Sequence, residues 1–174
     1  MADTSQNTIR LAERVTASTS FSALYSEGMG LVEETAVYLD GAGRASAKSL
    51  PRIASVLYSA ESMRLTTRLM QMASWLLLQR AVNNGEMTRE QVLAEKAKVR
   101  LDGFACDRSA PGWDELPELF RDLVERSLRL QSRVALLDKE IYHRNKTRTS
   151  AEKSDSANSV RAQISLLETA FGEQ

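Results

Sequence analysis

One histidine, His143, and one cysteine, Cys106, are the only such residues in 174 positions that nucleophilic or soft-metal chemistry would ordinarily draw on. His143 closes a helical pattern, where a cation is merely favourable, and no second histidine or cysteine completes a triad or a metal set. Cys106 beside Phe104 has the setting of a small buried hydrophobe, with Arg108 placed to lower its pKa slightly. Gly28-Met29-Gly30 lies inside a helical pattern and not after a strand, so it is no phosphate loop. Acid pairs such as Glu33/Glu34 and Asp138/Glu140 read as solvated helix faces. The expectation is a protein without catalysis, metal or cofactor.

Residue types suited to binding are better represented. Arg64, Arg68, Gln71, Trp75 and Leu78 recur at helical spacing on one stripe, and Arg and Trp dominate the energetic centres of protein interfaces. A Trp at that spacing is equally a core residue, and Glu61 stands three residues before Arg64, where it can pair within the helix. Interface and core therefore both stay open for this stripe. Near the C-terminal end, Val160, Ile164, Leu167 and Phe171 share one side at i, i+4, i+7 and i+11. That short amphipathic segment suits docking in a partner's groove or back on its own bundle; Ile164, Leu167 and Phe171 are the candidate partner contacts. Arg144, Lys146, Arg148 and Lys153 would attract phosphates, but no aromatic platform accompanies them, and a solvated linker is the simpler reading.

The elements that must carry these residues are helices. Ser20 is a plausible N-cap for a helix reaching Leu39, with Phe21, Leu24, Tyr25, Leu31, Val32, Ala36 and Leu39 as its apolar face. Gly28 and Gly30 each cost that helix about 1 kcal/mol relative to alanine, which implies either a close helix crossing or simply a weaker helix. Asp40-Gly41-Ala42-Gly43 breaks the chain, and Pro51 stands near the start of a central helix running to about Asn83. That helix is apolar on several sides. Leu65, Leu69, Met72 and Leu76 form one row; Met63, Met70, Leu77 and Ala81 form another, so it must be covered on more than one side, by two neighbouring helices and with a second copy as a further candidate. Asn84-Gly85 supplies a C-cap, and Thr88 with Gln91 a capping box for a short helix to about Arg100. After a loop with Gly103, Pro111 and Gly112, Asp114 can cap a last long helix with Pro117 in its first turn. Its row is Leu116, Leu119 or Phe120, Leu123, Ser127 or Leu128, Leu130, Val134, Leu137 and Ile141, close to a heptad.

Three long helices and a shorter one predict an all-α fold, a three-helix bundle with an additional short helix and flexible N- and C-terminal arms. The boundaries are an arm at 1–19, a bundle at 20–143 and a tail at 144–174, whose start RNKTRTSAEKSDSANS is too polar to offset its own ordering. Lys+Arg and Asp+Glu balance at 23 each, so no global field draws the chain to nucleic acid or anionic lipid. A lone cysteine, no secretory signal pattern and no apolar run near 18 residues predict a soluble cytoplasmic protein without disulfides.

Two stretches carry a resemblance. EGMGLVEETAVYLDG (27–41) and ESMRLTTRLMQMASWLLLQRAVNNGEMT (61–88) closely resemble the alphaproteobacterial regulator of CtrA degradation family, the RcdA-like proteins, and the likeness covers most of 20–143. It implies a dimeric three-helix bundle that acts as an adaptor for the ClpXP protease. It further implies binding to protease primed by a receiver-domain response regulator, capture of cell-cycle cargo, attachment of a cyclic-di-GMP-binding adaptor that delivers CtrA, and recruitment to a cell pole. The family carries no catalytic residues to transfer. The alternative is a helical dimeric regulator that binds nucleic acid or acts as a scaffold.

Overall fold

The structure, a computed structural model, describes residues 3–103 and 105–142. Among them every regular element is helical: α1 (Asp3–Asp40), α2 (Ala42–Ala47), α3 (Arg52–Asn83), α4 (Arg89–Lys96) and α5, which begins at residue 118. The all-α expectation therefore holds, with two short helices where one was expected. The chain divides into two compact units, Met1–Val134 and Ala135–Gln174. Residues 135–142 of the second are helical. No helix among the described residues is long and apolar enough to cross a membrane.

In the first unit α1, α3 and α5 pack on one another through rows that alternate steps of three and four residues. Phe21, Leu24, Gly28, Leu31, Thr35 and Tyr38 are the buried row of α1. Ala54, Tyr58, Glu61, Leu65, Arg68, Met72, Trp75 and Gln79 are that of α3, and Phe120, Leu123, Ser127, Leu130 and Val134 that of α5. A repeat averaging 3.5 residues keeps each row facing its neighbours when the helices cross at a shallow angle. The face expected for α1 was too broad: Ala36 is exposed, while Thr35 and Tyr38 lie inside.

Gly28 explains one crossing. A Cβ there would stand 2.5 Å from Leu76 Cδ1, so any larger residue would require the Leu76 side chain to move aside, whereas Gly30 faces open space. The helix is also longer than read. No glycine or proline interrupts 3–27, α1 starts at Asp3, and Ser20 lies within it instead of capping it. Across the bundle, Arg126 donates from both terminal nitrogens to the two Glu34 carboxylate oxygens at 2.7 Å, and Arg133 reaches Glu27 at 2.6 Å. These pairs pin the register of α5 on α1.

The ends of α3 and α4 follow from local chemistry. Pro51 precedes α3, where its missing N–H costs least. At the other end the Gly85 N–H reaches the Val82 carbonyl at 3.0 Å and the Glu86 N–H the Ala81 carbonyl at 2.9 Å, with Gly85 at φ 72°. This is the paired-bond left-handed cap that Asn84-Gly85 predicted. Thr88 and Gln91 cap each other as expected, although α4 ends at Lys96.

Asp114 does not cap the last helix. Residues 111–116 form turns, α5 begins after Pro117, and the Pro117 carbonyl accepts the Arg121 N–H at 3.0 Å. A proline disfavours helical backbone in the residue before it, which moves the start from Asp114 to beyond Pro117. The turn packs inward: Trp113 and Leu116 are buried, and Gly112 at φ 90° lies so close to α3 that a Cβ would be 3.0 Å from the Ala54 Cα.

Candidate functional site

Cys106 sits half-buried in the segment between α4 and α5. Burial, with Glu61 and Glu125 adding to it, pushes the thiol up to about 11 against the opposing pull of Arg68 and Arg108. The slight lowering expected from Arg108 is overturned. Its guanidinium is committed to Glu125, to which it donates at 2.5 and 2.6 Å, and loss of hydration outweighs what remains of its field. A thiol so protonated is a poor nucleophile and a poor metal ligand at neutral pH. Among the described residues no group of three or more His, Cys, Asp or Glu side chains could hold a metal ion. His143 and the basic positions Arg144, Lys146, Arg148 and Lys153 lie outside the described residues, as do Ile164, Leu167 and Phe171.

The α3 stripe splits between inside and outside. Arg68 is 1% exposed; its Nη1 donates to Ser127 Oγ at 2.7 Å, and that hydroxyl donates in turn to the Val124 carbonyl at 2.7 Å. Burial lowers the Arg68 pKa from its ordinary value, opposed by the carboxylate of Glu61, itself 1% exposed. Trp75 is also 1% exposed, with its ring 6.5 Å from that of Phe21. Neither Arg68 nor Trp75 is available to a partner docking on this bundle. Two charged residues fit in the core because the small Ser127 side chain of α5 leaves room for the Arg68 guanidinium and supplies an acceptor for it.

Arg64, Gln71 and Leu78 stand at the edge of the same stripe. Arg64 is exposed and donates to Glu61 Oε1 at 2.5 Å, the i, i+3 pair read from the sequence. Gln71 accepts the Arg100 N–H at 2.8 Å and so ties the segment after α4 to α3. Leu78 and Gln71 line a groove of about 470 Å³ with Ser74, Leu77, Met87 and Val99, and the Lys98–Glu95 ion pair at 2.7 Å borders it.

Beside these residues runs a surface that the sequence marked as apolar but not as outward. Ile53, Val56, Met63, Met70 and Leu77 are between 51% and 73% exposed on one side of α3. The sequence had Met63, Met70 and Leu77 as a row to be covered by neighbouring helices or by a second copy, and α1 and α5 cover the rows of Leu65 and Trp75 instead. The signal was the sevenfold spacing of 56, 63, 70 and 77, a seam distinct from the core.

The model of a family described as a protein of unknown function, DUF1465, matches residues 12–171 of the chain. The crystal structure of RcdA from Caulobacter crescentus CB15 is similar at 50% sequence identity, covering 70% of this chain and 90% of that one, with a TM-score of 0.57. No curated protein matches.

Proposed function

Because the chain belongs to the RcdA-like family described as DUF1465, we propose that it is a non-enzymatic adaptor that carries cell-cycle regulators, among them a CtrA-type response regulator, to primed ClpXP. The observation that carries this reading is the 50% identity to RcdA over most of both chains. Its partners are protease primed by a receiver-domain factor, a cyclic-di-GMP-binding adaptor, cargo, and a second copy of itself. It works in the cytoplasm and is recruited to a cell pole.

The physical task is tethering. Two weak contacts on one scaffold turn cargo capture into an intramolecular event at roughly millimolar effective concentration. An exposed row of five large apolar side chains on α3 is the kind of surface that a protein partner covers. Arg64, Gln71 and Leu78 serve that contact from outside, and Arg68 and Trp75 hold the helix that presents it. In this reading 1–19 is an arm, 20–143 the bundle, and 144–174 a tail on which Ile164, Leu167 and Phe171 dock to a partner.

The test is degradation of the CtrA-type regulator by purified ClpXP with its priming factor and the cyclic-di-GMP-binding adaptor. Three reactions are compared: no addition, the full chain, and a chain ending at residue 143. Acceleration by the full chain supports the adaptor, and its loss on truncation assigns delivery to the tail. No acceleration, with the other components shown active, refutes it.

A further inference from the structure

The outward face of α3 has a regular repeat of its own. Ile53, Ala60, Thr67 and Ser74 recur every seven residues, and Val56, Met63, Met70 and Leu77 follow them by three. These are heptad positions a and d of a second seam, about 36 Å long at 1.5 Å per residue. The d residues are more than half exposed and no helix of the first unit lies over them. No acidic residue occupies any a, d, e or g position from Arg52 to Arg80. Of the three arginines at the flanks, Arg64 is held by Glu61 and Arg80 by the Tyr25 hydroxyl at 2.8 Å and the Tyr25 ring at 5.0 Å.

The a residues other than Ile53 are small and the d residues are all apolar side chains, three of them long, and this pattern decides the occupant. In a parallel pair, a meets a and d meets d, so thin layers of Ala, Thr and Ser would alternate with crowded layers of Met. In an antiparallel pair each a residue meets a d residue. With a twofold axis passing beside residue 65, Met63 faces Thr67 of the second copy, Ala60 faces Met70, Val56 faces Ser74, and Ile53 faces Leu77. Three large side chains each meet a small one. The flanks agree in the same register: Arg64 meets Gln71, Leu57 meets Leu78, Ser59 meets Thr66, and no two like charges face each other. Such self-complementarity about one axis is what a symmetric interface requires and what a surface for an unrelated helix would not show.

We propose that two copies of the chain pair through antiparallel α3 helices along this seam, in the register that sets residue 60 against residue 70. A 3.5-residue repeat drifts about 20° per heptad on a straight helix, so the helices cross at a shallow left-handed angle that keeps all four layers in contact. The pairing covers Leu77 and Ser74, which line the groove beside α4. It deepens the self-association within the proposed function and rests on that reading only for the expectation that copies meet.

The test uses the full chain with Cys106→Ser, into which Ala60→Cys and Met70→Cys are placed as separate single variants, each checked for parental circular dichroism. A disulfide needs Cα atoms within about 7 Å. Residues 60 of two antiparallel copies would lie about 15 Å apart along the seam. Mild oxidation of the mixture is therefore expected to yield roughly tenfold more cross-linked dimer than either variant alone, since only unlike cysteines meet. Cross-linking of each variant alone at the rate of the mixture would mean a parallel pair and overturn the register. No cross-link from any combination, while the parent elutes as a dimer, would overturn the seam and leave the adaptor reading untouched. A parent that elutes as a monomer at micromolar concentration would overturn it as well. As an independent check, Met63→Glu with Met70→Glu is expected to give a folded monomer.

Discussion

Trp75→Ala separates the core from the surface reading of α3. The indole is 1% exposed and packs beside Phe21, so its removal opens a cavity between α1 and α3 instead of changing an outer face. Truncating a buried Trp costs about 3–5 kcal/mol, the higher part where the site cannot collapse. Collapse is resisted here, because Gly28 already brings α1 to within van der Waals distance of Leu76 on the next position of α3. A unit of 134 residues unfolds with an entropy of about 0.28 kcal/mol/K, so the melting temperature should fall by about 11–18 °C. The control is Leu77→Ala, two positions along and 51% exposed, for which a change under about 1 kcal/mol is expected in the isolated subunit. Calorimetry and urea titration of both variants measure this. A Trp75→Ala protein that melts within about 3 °C of the parent while losing self-association would refute the reasoning, since it would place the indole on the interface.

Three further outcomes follow from the same packing. Arg68→Met removes the donor to Ser127 and leaves the buried Glu61 carboxylate with Arg64 as its cation, so it should cost about 1–3 kcal/mol in urea titration, with part of the loss recovered by adding Glu61→Gln; a neutral effect would mean that Arg68 is not buried in solution. Gly43→Ala forces a Cβ to 2.6 Å from the Tyr38 ring and the Tyr58 hydroxyl and to 2.8 Å from the Tyr38 carbonyl, so it should destabilise by about 1–3 kcal/mol, and a neutral effect would refute the α2 contact. The Arg126 hydrogen bonds hold the Glu34 carboxyl below its ordinary 4.5, and those of Arg108 do the same for Glu125. A carboxyl whose folded pKa is lowered stabilises above its unfolded value and loses that contribution as pH falls through the folded one. Urea stability should therefore decline slightly below about pH 4.5, the effect kept small because solvent screens both pairs. Glu34→Gln with Glu125→Gln should flatten that decline, and an unchanged profile would count against the two pairs.

The local features were legible because their causes are local. Thr88 with Gln91 and Asn84 with Gly85 satisfy orphan backbone groups within a few residues, and both caps formed as read. The α5 row was legible at Leu123, Leu130 and Val134, while the choice of Phe120 over Leu119 and of Ser127 over Leu128 came only with the packing. Orientation was harder. On α3 several sides carry apolar residues, and the residue types alone did not tell which apolar row faces α1 and α5. Arg68 could be read as surface or core until Ser127, 59 positions away, gave it a partner inside. Gly28 and Gly30 looked alike for the same reason: only Leu76 from another helix makes the first a close approach and leaves the second idle. Asp114 misled because a good capping residue before Pro117 competes with the proline's own restriction of the residue preceding it.

The central claim is that the chain acts as a tether, and a titration addresses it most directly. The full chain is added in increasing amounts to ClpXP, its priming factor, the cyclic-di-GMP-binding adaptor and the CtrA-type cargo at fixed concentrations, with an unrelated ClpXP substrate in parallel. A tether predicts a bell-shaped rate for the cargo: acceleration while each chain bridges protease and cargo, then decline once excess chain occupies the two separately. The unrelated substrate should be unaffected. A rate that rises to a plateau for both substrates would mean the chain activates the protease and does not carry cargo to it, and a flat response would contradict the account outright.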